Sequence, residues 1–98
     1  MHATAKVKDT VVAETDSYEV VEGNVYFPPT SVKKDLLTGP TSTHTHCPWK
    51  GDASYYNISV DGTEIKDGAW YYPAPFEKAK HIKDYIAFYK SKVDVEKE

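Results

Sequence analysis

The stretch from Ala53 to Gly62 leaves this chain the least freedom. Tyr56, Ile58 and Val60 recur on one side of it, and Tyr55, Asn57 and Ser59 on the other. A period of two belongs to an extended strand whose two faces meet different surroundings. Asp61-Gly62 follows at once, and Asp-Gly suits the two-residue turn in which both central residues take positive φ. Thr63-Glu64-Ile65-Lys66 then runs back. The middle of the chain is therefore expected to be an antiparallel hairpin, around which the other segments must pack.

The same reasoning extends outward. Thr10–Glu14, Tyr18–Glu22 and Val25–Phe27 are short runs rich in Val and Tyr. Gly23-Asn24 reads as the turn between the last two, and Pro28-Pro29 as a stop. Residues 1–8 are expected to be a frayed start. Thr30–Leu37 fits one or two helical turns capped by Thr30 or Ser31. Thr38–Pro48, rich in Thr, Ser, Gly and Pro, reads as a loop. Trp70-Tyr71-Tyr72 is a further strand, ended by Pro73-Ala74-Pro75. Beyond it the period changes. Ala79, Ile82, Ile86, Tyr89 and Val93 recur at three and four residues, which predicts a helix from about Phe76 to about Phe88, begun after Pro75. The expected fold is mainly β, in the α+β class, with hairpins of short strands and one C-terminal helix.

Composition narrows the function. A chain of 98 residues is expected to be one domain with a single core. Its net charge is -3 and it contains no arginine. Arginine is the preferred residue for bidentate phosphate and guanine contacts, so nucleic acid is a poor partner for this chain. The single cysteine excludes an intrachain disulfide and any zinc site that needs two thiolates from one chain. A free thiol suits a reducing compartment. The polar N-terminus has no signal-peptide core, and no run approaches the ~20 apolar residues of a membrane span. A soluble cytoplasmic protein is expected, with no membrane partner.

Chemistry concentrates in Thr43–Asp52. This decad holds His44, His46, Cys47, Trp49 and Lys50. Cys47 is a candidate nucleophile or redox centre with His46 as its base. Neighbouring side chains of an extended chain point apart, however, so His44 and His46 share one face and Cys47 takes the other. A Cys–His pair there needs a turn, for which Pro48 is placed. His44 and His46 are weak metal candidates, because such a site needs three or four ligands and only Cys47 and Asp52 stand near them in sequence. Lys50-Gly51 offers an ammonium where backbone can come close to a ligand. Trp49, Trp70 and Tyr72 supply aromatic walls of the kind that hold a small planar or cationic ligand.

With these residues in view, the chain resembles the DUF427 domain family, whose biochemical role is unassigned. The resemblance runs through Val25–Pro29, His46–Tyr56, Gly68–Pro75 and Tyr85–Tyr89, and covers about Val11 to Val95. Its most specific part is Cys-Pro-Trp-Lys-Gly followed by Ala-Ser-Tyr-Tyr. The resemblance implies a β-tent, as in Mss4-like proteins, in which two small antiparallel sheets meet at an angle. Relatives of that shape hold zinc through two Cys-x-x-Cys pairs, which a chain with one cysteine cannot do. Other β-tent proteins are sulfoxide reductases with a catalytic cysteine, or hold uracil-like ligands in a tryptophan cage; these are likenesses of fold, not of function. A nucleotidyltransferase label has been attached to the family. The chain has neither the Asp-x-Asp pair nor the Gly-rich loop such chemistry uses.

Three functions remain open from sequence. The first is a domain that binds an unknown small molecule, with Trp49, Trp70 and Tyr72 as walls and His46, Lys50 and Tyr55 as polar contacts. The second is an enzyme built on Cys47, which would need an external thiol for any redox cycle. The third is a protein-interaction module. The first is preferred, with no cofactor, because no complete catalytic set is visible; oligomeric state is not readable.

Overall fold

The structure, a computed structural model, describes residues 2–98. Among the described residues ten strands follow one another: β1 Ala3–Val7, β2 Thr10–Thr15, β3 Glu19–Val21, β4 Asn24–Tyr26, β5 Leu37–Thr38, β6 His44–Cys47, β7 Gly51–Val60, β8 Thr63–Tyr71, β9 Ile86–Phe88 and β10 Asp94–Lys97. They form an antiparallel three-stranded sheet in the order β10-β1-β2, a β3-β4 hairpin, and a five-stranded antiparallel sheet. In the last, β7, β8 and β9 are neighbours, and β5 and β6 lie end to end along the outer edge of β7.

The expected central hairpin is present. Asp61 and Gly62 have φ of 49° and 79°, as a turn with two left-handed residues requires. The faces of β7 also divide as the alternation predicts. Tyr56, Ile58 and Val60 pack into a core shared with Ala3, Ala5, Val7, Val12 and Ala13 of the first sheet. Ala53 and Tyr55 face the opposite way, into a second cluster. Strand β8 continues the division, with Ala69 and Tyr71 on the first side and Trp70, followed by Tyr72, on the second. So does β9, with Ile86 and Phe88 against Ala87.

The C-terminal helix expected over Phe76–Phe88 is absent, and the segment is a correction to the sequence reading. Glu77–Ile82 is a 3-10 helix of six residues, and Ile86–Phe88 is strand β9. Ala79 and Ile82 are buried, and a spacing of three suits one face of a three-residue turn as well as an α-helix. Asp84 has φ of 63°, which ends any helix there. The following Tyr-Ile-Ala-Phe-Tyr run is aromatic and β-branched, and all three residues of β9 are buried on one side or the other of the sheet. The other helical segments among the described residues are the 3-10 turns Pro29–Ser31 and Lys34–Leu36, inside the span expected for one or two turns. None is long and apolar enough to cross a membrane.

Two other expectations are overturned. The supposed frayed start, of which Met1 lies outside the described residues, forms β1 in the middle of its sheet, with Ala3 and Ala5 fully buried. The supposed loop Thr38–Pro48 contains β6, whose residues His44–Cys47 pair with Ser54–Gly51.

Candidate functional site

The second cluster forms on the face of the five-stranded sheet turned away from the main core. Tyr55, Trp70, Tyr72 and Ala87 come from the sheet, Val21 and Tyr26 from the β3-β4 hairpin, and Ala79 and Ile82 from the 3-10 segment. Cys47, Tyr85 and Tyr89 pack against it, half-buried. The Trp70 ring meets Tyr26 edge-on at 6.2 Å and lies tilted against Tyr89 at 4.7 Å between centroids. Its indole N–H donates to the Tyr26 hydroxyl at 3.2 Å. Tyr55 reaches the Thr45 hydroxyl at 2.9 Å and the Tyr89 hydroxyl at 3.4 Å.

Lys50 stands at the margin of this cluster with its side chain only 7% exposed. An ammonium withdrawn from water must be compensated by an anion or by hydrogen bonds. Here the compensation has three parts. The Nζ donates to the Glu22 carboxylate, and it lies 5.4 Å from the Trp49 ring centre and 5.6 Å from that of Tyr72. Both rings are within the range of a cation–π contact. Burial by itself would lower the Lys50 pKa. The Glu22 hydrogen bond and the electrostatic influence of Tyr26 and Tyr72 outweigh it and leave the pKa raised. Glu22 is affected in turn: the Lys50 hydrogen bond holds its carboxyl below the usual range, and the Trp49 indole adds to the effect. Tyr72 is pushed up to about 12, chiefly by burial.

Local geometry explains how Lys50 reaches this position. Gly51 has φ of 112°, and a Cβ placed there would stand 3.3 Å from the Ala74 carbonyl oxygen. The Lys50 carbonyl accepts from the Phe76 amide at 3.0 Å. The loop is thus clamped under Ala74–Phe76 at a residue where only glycine fits comfortably. Gly51→Ala is expected to cost about 1–2 kcal/mol for the forced left-handed backbone. Urea unfolding measures it, and a change below experimental error would show that the clamp does not constrain the loop.

The residues named from sequence do not all meet. Trp49, Lys50, Tyr55, Trp70, Tyr72 and Cys47 belong to one neighbourhood. His46 does not. It follows the strand alternation to the other face, where its Nδ1 pairs with Asp52 at 2.6 Å and its ring meets Phe76 at 6.2 Å. His46 is therefore not brought to Cys47. His44 is exposed, and among the described residues no three His, Cys, Asp or Glu side chains converge as metal ligands. Glu22 and Tyr26, which complete the surroundings of Lys50, were not singled out from sequence. The one local signal for Glu22 was its place before Gly23-Asn24, where its φ is 54°. A cavity of about 100 Å³ lies elsewhere, lined by His2, Thr4, Glu96, Lys97 and Glu98.

Fold and site together define a mainly-β protein of antiparallel sheets with a lysine buried among aromatic rings. The sequence model of a domain of unknown function, DUF427, matches residues 1–98, and the chain belongs to that family. The model also carries the short name NTP_transf_9. No curated protein matches the chain.

Proposed function

We propose that this chain is a small-ligand-binding domain whose site is the Cys47–Gly51 loop together with Trp70, Tyr72 and Tyr55. We also read its two larger sheets as the slopes of a β-tent. The observation that carries the functional reading is the buried Lys50 ammonium between the rings of Trp49 and Tyr72. Folding alone gives little reason to bury a lysine, since an apolar side chain fills such a place without the desolvation cost. Trp49, 37% exposed, leaves a flat apolar surface open beside the charge. An aromatic plane next to one strong donor is a common arrangement for holding a small planar molecule.

Thermal denaturation in the presence of millimolar benzamide and benzoate tests the reading. At least one of these planar probes is expected to raise the melting temperature of the native chain by mass action. Trp49→Ala is expected to abolish the rise. A rise that survives Trp49→Ala, or none with either probe, would sink the proposal.

A further inference from the structure

The ion pair at the site is strongly asymmetric. The Lys50 side chain is 7% exposed, whereas that of Glu22 is 52% exposed. Lys50 is fixed by the clamp on Gly51 and by the rings of Trp49 and Tyr72. Glu22 sits at the tip of a hairpin of two three-residue strands, beside Gly23, and both have left-handed backbones. Its carboxylate can swing into water at little cost, because half of it is already there. The ammonium cannot follow. Water can take over the solvation of the Glu22 carboxylate as it leaves, so Glu22 is a replaceable holder of a position that Lys50 needs filled.

We propose that Glu22 is a built-in placeholder for the carboxylate of an external ligand, and that the molecule bound at this site is a small acid with a flat apolar body. The incoming carboxylate takes the place of the Glu22 carboxylate on the Lys50 Nζ, and its body lies along the exposed Trp49 ring. Glu22 competes from within the chain at an effective concentration set by the short hairpin. The free protein thereby keeps Lys50 charged and paired, and gains selectivity, because a neutral ligand cannot replace the carboxylate without leaving the buried ammonium uncompensated. The Trp49 indole, which already acts on Glu22, is placed to add a contact to the incoming carboxylate.

This inference rests on the ligand-binding reading, and titration of the full chain with benzoate, benzamide and inorganic phosphate, followed by tryptophan fluorescence, separates the two. Benzoate is expected to bind more tightly than benzamide. Glu22→Gln removes the internal competitor and is expected to tighten benzoate by about fivefold, while leaving benzamide unchanged. Lys50→Met is expected to erase the preference for benzoate, and Lys50→Arg keeps the charge should the methionine variant fail to fold. An unchanged or weakened benzoate affinity in Glu22→Gln would overturn the placeholder. Equal binding of benzoate and benzamide, both dependent on Trp49, would overturn it too while leaving the ligand site standing. Phosphate binding as tightly as benzoate to Glu22→Gln would overturn the flat-bodied acid as the ligand class. If neither benzoate nor benzamide binds, both the inference and the ligand-binding reading fall.

Discussion

Phe27→Ala is expected to cost about 3–5 kcal/mol, the usual range for deleting a fully buried phenylalanine ring. The ring is 0% exposed and meets Phe88 edge-on at 5.6 Å. Its backbone is anchored as well: the Phe27 amide donates to the Ile86 carbonyl at 2.8 Å, and the Ile86 amide returns a bond to the Phe27 carbonyl at 2.9 Å. The alanine variant keeps both bonds but loses the packing that holds them in a dry core. Phe27 also follows the hairpin that carries Glu22 and Tyr26, so it tethers one side of the candidate site to β9. The midpoint of urea unfolding reports the loss. Phe27→Leu, which retains most of the volume, should cost far less, about 1–1.5 kcal/mol. A small effect from alanine, or equal effects from both, would mean that the ring does not tie hairpin to sheet.

How much was readable beforehand depended on how local the cause was. Asp61-Gly62 and the alternation of β7 are decided within ten residues, and both stand in the structure. Strand β1 was missed because alanine at positions 3 and 5 gives a faint period of two and is a poor strand former; pairing on both sides, with β10 and β2, holds the strand, and both alanines are fully buried. Strand β6 was missed because Thr-His-Thr-His is polar. It lies along an edge, where exposed side chains are tolerated and the pairing with β7 supplies the order. The helix failed for a different reason. Ala79, Ile82 and Ile86 fit a spacing of three or four, but Ile86 is placed by its partners Phe27 and Tyr71 rather than by a helical face. The site divides in the same way. Cys47–Gly51 is contiguous, and Tyr55, Trp70 and Tyr72 share a sheet face that alternation assigns once the register is known. The partner of Lys50 lies 28 residues earlier. Nothing in the sequence around Lys50 points to Glu22, because their meeting is set by how the β3-β4 hairpin docks on the sheet.

Alkali is expected to unfold the protein through the same site. Tyr72 is 5% exposed, and its pKa is raised from 10 to about 12, with burial as the leading cause. A phenol neutral in the folded state and free to ionise when unfolded costs no stability below pH 10. Above pH 10 the unfolded chain releases the proton first, and stability falls steadily until the folded phenol ionises near pH 12. A gap of two units amounts to about 2–3 kcal/mol for Tyr72. Lys50 acts in the same window with the opposite charge. Its pKa is raised in the folded state, so its contribution is complete below the unfolded lysine value and disappears as pH climbs through the folded one. Tyr89, also raised to about 12, first by its hydrogen bond with Tyr55, adds to the same limb. Tyr72→Phe keeps the ring over Lys50 and deletes the titrating group, so its alkaline unfolding midpoint should move to higher pH. An unmoved midpoint would show that Tyr72 is not the group whose burial limits the fold. Near neutral pH the Tyr72 phenol is protonated in the folded and unfolded chain alike, so this loss is confined to alkali.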